Sequence, residues 1–145
     1  MSKCGTILLA EDDENDAFLF QIALSKAGVG NPVVHVSNGD EALSYLKGDG
    51  IFCDRTRYPF PCLLVTDLKM PRLSGFDLLT GAKAVLESSQ LPMVVLSASI
   101  AEQDKERSLR LGAKAFFVKP PGLAGLVAVA TELKRSWLVP FSQPV

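Results

Sequence analysis

Four places along this 145-residue chain put a reactive side chain directly after a short apolar run. Thr6-Ile7-Leu8-Leu9-Ala10 leads into Glu11-Asp12-Asp13, and Cys62-Leu63-Leu64-Val65-Thr66 leads into Asp67. Pro92 to Leu96 is followed by Ser97, and Ala113 to Val118 by Lys119-Pro120. Carboxylates gathered without a cation repel one another, and the pKa of one of them must rise. A hard divalent ion resolves the conflict, because Mg²⁺ takes oxygen ligands, needs few protein carboxylates and keeps several waters. Glu11, Asp12 and Asp67 supply that donor type, and Lys119 brings a second positive charge. Such a pocket suits a phosphoryl group. Asp67 would be a carboxylate nucleophile forming an acyl phosphate. The ion and Lys119 would neutralise the transferring oxygens, and Ser97 would donate a hydrogen bond to one of them.

Singly, each of these residues has an ordinary structural role. Asp13 is expected to cap a helix, with Asp16 favouring its first turn. Glu11 and Asp12 suit capping as well as a metal. Ser97 alone is a turn residue, and Lys-Pro is common in loops. His35, the sole histidine, falls inside a strand and reads as structural. Convergence of the four sets is what would give them chemistry, and convergence depends on the elements that carry them.

Those elements alternate. Helical spacing of Phe18, Leu19, Ile22, Ala23 and Ala27 follows the first apolar run, and Gly28 and Gly30 stop it. Pro32 to Val36 is a β-branched run, Ser37-Asn38-Gly39 a turn and cap, and Ala42, Leu43 and Leu46 mark a short helix. Residues 48–61 read as loop, punctuated by Gly48, Gly50, Pro59 and Pro61. Helices are expected over Gly75–Glu87, Ala101–Leu111 and 122–138, the second closed by Gly112. Strands apolar on successive residues belong to covered parallel sheets. Five βα units therefore imply an α/β fold, a doubly wound parallel five-stranded sheet with helices on both faces and right-handed crossovers. In such sheets ligands lie beyond the carboxyl ends of the strands, where the four sets of residues stand.

Composition narrows the function. Hydrophobic residues make up 48% and charged residues 21%, with a formal net charge of -1. With no Lys/Arg-rich run, nucleic-acid binding is not expected. Cys4, Cys53 and Cys62 lack the spacing of a zinc site or a disulfide framework and read as reduced thiols. The first residues do not form a signal peptide, and the longest near-apolar stretch, Gly122 to Ala130, is about half a membrane span. A cytoplasmic protein without membrane contact is expected.

Taken together and in order, these motifs resemble the receiver domain of two-component response regulators, the CheY-like fold with strand order 2-1-3-4-5. The resemblance runs from about Thr6 to Trp137. It is carried by Ile7-Leu8-Leu9-Ala10-Glu11-Asp12-Asp13, by Val65-Thr66-Asp67-Leu68-Lys69-Met70-Pro71 with Gly75 beyond it, and by Val94-Val95-Leu96-Ser97-Ala98. Leu111-Gly112-Ala113 and Phe116-Phe117-Val118-Lys119-Pro120 complete it. It implies that Asp67 is the phosphoacceptor and that Asp12 binds Mg²⁺ directly, Glu11 mostly through water and Lys69 through its backbone carbonyl. It implies that Ser97 and Lys119 contact phosphoryl oxygens and that the Lys119–Pro120 bond is cis. On switching, Ser97 would move to the phosphate and the Phe116 ring would turn inward, reshaping the surface of helix 4, strand 5 and helix 5. The donor would be a sensor histidine kinase or a histidine phosphotransfer protein, and the downstream protein partner is unspecified.

The Glu that opens the acidic pair, the segment Tyr45-Leu46-Lys47-Gly48-Asp49-Gly50 with the long loop after it, and the ending Ser136-Trp137-Leu138 are similar to single-domain regulators of phytochrome-type kinases, several of which dimerise. A homodimer through helix 4, strand 5 and helix 5 follows as an expectation, although most of the Leu123–Ala130 run reads as core. Phe116 lacks the hydroxyl of the commoner tyrosine, and Pro121 after Pro120 stiffens the loop. Residues 1–139 are expected to form the receiver domain and 140–145 a tail, with no output domain. An Mg²⁺-dependent phosphatase with an aspartyl nucleophile usually carries an acid two residues further on, where this chain has Lys69. A receiver reduced to a binding module would not need the full set of acids, serine and lysine. The expected protein is a phosphoacceptor switch and not an enzyme acting on external substrates.

Overall fold

The computed structural model describes residues 5–85 and 91–138. Its first strand, β1 (Thr6–Ala10), is buried at every position. Nothing in its sequence leaves a face for water, so it must lie inside a sheet covered on both sides. The remaining strands are β2 (Val33–Val36), β3 (Pro61–Thr66), β4 (Met93–Ser97) and β5 (Ala115–Val118). They form one parallel sheet in the order β2-β1-β3-β4-β5. The expected order and fold class are those observed.

The helices are α1 (Glu14–Lys26), α2 (Gly39–Lys47), α3 (Gly75–Val85), α4 (Glu102–Arg110) and α5 (Leu123–Leu133). Two apolar clusters fill the two sides of the sheet. One joins Ile7, Leu9, Val65 and Val94 to α1 and α5 through Phe20, Leu24, Leu126 and Leu133. The other joins Leu8, Leu64 and Val95 to α2 and α3 through Tyr45, Leu46, Leu78 and Leu79. Alternate strand residues thus serve opposite cores, the period-two rule of a strand. Each fully buried leucine of this kind contributes about 2 kcal/mol.

Local signals set the ends of the elements. Asp13 caps α1, accepting from the Asp16 N–H at 3.0 Å. Asn38 caps α2 by accepting from the Glu41 N–H, while the Glu41 carboxylate accepts from the Ser37 N–H, both at 2.9 Å. The pair differs from a capping box in that Glu41 reaches the residue before the cap and not the cap itself. Helix α2 ends at Gly48 in the left-handed region (φ 73°).

Two regions differ from the expectation. The segment after α2 is not a plain loop. Gly50–Cys53 makes a 3-10 turn, and Phe52 and Tyr58 pack on the fully buried Tyr45 ring. The helix expected over 122–138 changes pitch at its end, where Lys134–Leu138 is a π-helical turn. The last residues of the Gly75–Glu87 helix, along with Cys4 and the 140–145 tail, lie outside the described residues. No described helix is long and apolar enough to cross a membrane.

Candidate functional site

The ends of the sheet ladder fix the backbone of the reactive residues. Past β1, the Glu11 N–H donates to the Val36 carbonyl at 3.0 Å, and past β3 the Asp67 N–H donates to the Ala10 carbonyl at 3.0 Å. Past β5, the Lys119 N–H donates at 2.7 Å to the carbonyl of Ser97, the last residue of β4. Each rung continues the parallel ladder by one residue, so Glu11, Asp67, Ser97 and Lys119 come to one edge of the sheet by the pairing itself. The expected convergence is observed.

Around Asp67 the chain is tightly held. Its Oδ1 accepts from the Leu68 N–H at 2.6 Å, and the Thr66 hydroxyl donates to its carbonyl at 2.7 Å. Gly75, at the start of α3, donates its N–H to the Leu68 carbonyl at 2.8 Å. A Cβ there would stand 2.7 Å from the Leu68 Cα and collide with the Asp67 carbonyl as well. Only glycine permits that approach.

Glu11, Asp12 and Asp67 each offer a carboxylate oxygen, all within 4.8 Å of one another. Asp12 is exposed, while Glu11 and Asp67 are buried. The Lys119 ammonium contacts Glu11 Oε1 at 2.8 Å, Asp67 Oδ2 at 3.0 Å and Asp16 Oδ2 at 2.8 Å. Burial pushes the Glu11 carboxyl up to about 7, against the hydrogen bonds from Lys119 and the Asp13 N–H and with the help of the Asp67 charge. Burial works against the charge on Lys119, but the hydrogen bonds to Asp16 and Glu11 and the Asp67 charge outweigh it and raise its pKa. The donors facing this space are hard oxygens with more negative than positive charge, so the residues present fit a divalent cation such as Mg²⁺.

Ser97 is buried, and its Oγ accepts from the Ser99 N–H at 3.1 Å. The Ser99 hydroxyl donates to Asp104 Oδ2 at 2.6 Å, which ties the loop to the first turn of α4. Lys69 is exposed at the rim, and Phe116 is half-buried against the α2–α3 side of the core. A pocket of about 130 Å³ opens beside Lys119, with Leu19, Pro120 and Pro121 at its border and Phe20, Val65 and Leu126 among its apolar lining.

One expectation is corrected. Among the described residues no peptide bond is cis, so Lys119–Pro120 is trans. The trans isomer is the intrinsically favoured one for X–Pro, and with the Lys119 N–H fixed on Ser97 the side chain reaches its three carboxylates from that geometry.

Three contributors were not foreseen. The sequence marks Asp16 only as a first-turn acid. Nothing near it in the sequence points to its partner, Lys119, 103 positions further on. The Thr66 hydroxyl had no pattern to reveal it. His35 is structural as expected, but it serves the site, because its Nε2–H donates to the Glu11 carbonyl at 2.7 Å.

Comparison with known proteins agrees with this geometry. A solved structure of the phosphorylated cyanobacterial phytochrome response regulator RcpA superposes with a TM-score of 0.85 at 31% identity, covering 100% of both chains. The response regulator RPA3017, from red light signalling in R. palustris, gives 0.85 at 28% identity over 92% of this chain and 94% of that one. The response regulator Rcp1 of Synechocystis sp. is 27% identical over 138 residues, 95% of this chain and 92% of its own length. A Mn²⁺-bound Rcp1 structure superposes with a TM-score of 0.80 at 26% identity, over 99% of this chain and 97% of that one. The family model for the response regulator receiver domain matches residues 7–131, and the chain belongs to that family, the receiver domains of two-component systems.

Proposed function

We propose that this protein is a cytoplasmic phosphorylation switch that accepts a phosphoryl group on Asp67 from a sensor histidine kinase or a histidine phosphotransfer protein, with Mg²⁺ bound beside it. One observation carries the reading: a buried carboxylate stands 3.0 Å from the Lys119 ammonium and within 4.8 Å of two further acids. In the transfer, a carboxylate oxygen of Asp67 attacks phosphorus. The N–P bond of the donor phosphohistidine breaks, and its electron pair returns to the imidazole. Lys119 and Ser97 hold transferring oxygens as charge shifts onto them. Asp12 would hold Mg²⁺ directly and Glu11 largely through water, with Asp67 and the Lys69 backbone carbonyl completing the protein ligands. When bound, the ion neutralises the phosphoryl oxygens. The Mn²⁺-bound form of Rcp1 supports a divalent site of this kind.

After transfer, the Ser97 hydroxyl leaves the Ser99 N–H for the phosphoryl group, and the Phe116 ring turns inward behind it. The result is a shift in population between two packings of the surface formed by α4, β5 and α5. That surface then binds a downstream protein or takes part in onward phosphotransfer. The phytochrome and red-light regulators among the relatives support a phytochrome-type kinase as donor.

The test uses beryllofluoride, a phosphoryl mimic, with Mg²⁺ and the full chain. One equivalent is expected to shift amide resonances around Asp67, Ser97 and Phe116, and Asp67→Asn is expected to abolish the change. A response that survives Asp67→Asn, or turnover of external phosphoesters, overturns the proposal. The same surface exposes Leu109 and Val118 at 41% and 45%, and a homodimer through it is expected in the activated state. Light scattering across a concentration series, with and without the mimic, checks this, and an unchanging monomer mass excludes it.

A further inference from the structure

Only two of the three carboxylates on Lys119 belong to the set proposed to hold the cation and the phosphoryl group. The third is Asp16, in the first turn of α1. Its Oδ2 lies 2.8 Å from the ammonium, closer than the 3.0 Å of Asp67. Its side chain is 43% exposed, against 6% for Glu11 and 10% for Asp67, so it holds the ammonium from the solvent side while the other two hold it from within. The carboxylate has no capping duty, because Asp13 caps the helix. Among the described residues, the hydrogen bond it accepts comes from Lys119.

We propose that Asp16 is a positioning residue that restrains Lys119 from the phosphoryl group and thereby limits how tightly the pocket takes a phosphoryl anion on Asp67. The inference rests on the Asp67 reading above. Once the anion is in place, Asp67 is spent in the acyl bond and Glu11 faces the cation, but Asp16 keeps its full charge and its hold. Its carboxylate is two hydrogen-bond lengths from that of Asp67, through the shared ammonium. The arriving anion therefore meets a like charge and a lysine already engaged. At a partly exposed position, removing both effects changes affinity by about fivefold.

The experiment is calorimetric titration of beryllofluoride, in excess Mg²⁺, into the wild-type chain and the Asp16→Asn and Asp67→Asn variants. Asp16→Asn is expected to bind about fivefold tighter than wild type, with a gap that narrows as salt is raised. General loss of structure weakens binding, so a gain reports the restraint itself. Equal or weaker binding by a folded Asp16→Asn overturns the inference, as does a gain that ignores salt. Should Asp16→Asn fail to fold, Asp16→Ala decides by the same criterion. No binding by the wild type, or binding that survives Asp67→Asn, overturns the Asp67 reading instead.

Discussion

At the scale of single residues the pocket is a balance of charges, and Glu11 is its most perturbed acid. Its carboxyl titrates near 7 in the fold, against 4.5 as an ordinary side chain, with burial as the main cause. A carboxyl raised on folding favours the native state while protonated. That contribution is fully present below pH 4.5 and is lost as pH rises through 7. In metal-free protein, Glu11→Gln is therefore expected to melt like wild type near pH 4.5 and to be more stable at pH 8, by roughly 1 to 3 kcal/mol. Thermal melts in chelator at the two pH values check this, and an equal difference at both would refute it. The residues proposed to react were legible in the sequence because each ends or follows a strand, and parallel pairing carries strand ends to one edge. The role of Asp16 is not legible in the sequence, for a physical reason. An acid in a first helical turn is already accounted for by the helix dipole, and nothing local announces a lysine from 103 positions away.

At the scale of elements, the segment between α2 and β3 departs most from its sequence reading. Glycines and prolines mark it as loop, which its backbone largely is, but they do not reveal that it packs. The Tyr45 hydroxyl donates to the Pro59 carbonyl at 2.7 Å, and Arg55 donates to the carbonyls of Leu46 and Tyr58 at 2.9 and 3.2 Å. The Arg55 guanidinium also lies 5.7 Å from the ring centres of Tyr45 and Phe60. The loop therefore acts as a cover for the α2 side of the core. Tyr45→Phe keeps the ring and leaves the Pro59 carbonyl without that donor, at a cost of about 1 kcal/mol. Chemical denaturation is expected to show that loss, and hydrogen exchange to show faster opening confined to residues 48–61. Exchange spread evenly over the sheet would argue against a separate cover. Element order and boundaries were legible because β-branched runs and caps are local signals. The aromatic contacts and the π-helical end of α5 arise from tertiary packing, which single-sequence patterns do not carry.

At the scale of the whole molecule, the two cores meet the charged edge of the sheet, so occupation of that edge feeds back on the entire fold. A ligand that binds only the native state at ten times its dissociation constant adds about 1.4 kcal/mol. For a chain of this size that is a rise in Tm of about 4 °C. Saturating Mg²⁺ is expected to raise the melting temperature at least this much at pH 8, and Asp12→Ala to lose most of the gain. A full gain in Asp12→Ala would remove Asp12 from the ion's ligands. The sheet order β2-β1-β3-β4-β5 also divides the machinery in a particular way. A single cut in the exposed stretch around Asp54 to Arg57 parts the polypeptide between β2 and β3. Glu11, Asp12 and Asp16 then belong to one fragment, and Asp67, Ser97 and Lys119 to the other. Neither piece holds both the opening acids and the proposed nucleophile. Rejoining them requires that β1 pair again with β3 and that α1 and α2 pack again on α5 and α3, so closure of the pocket and reassembly of two fragments become one and the same event.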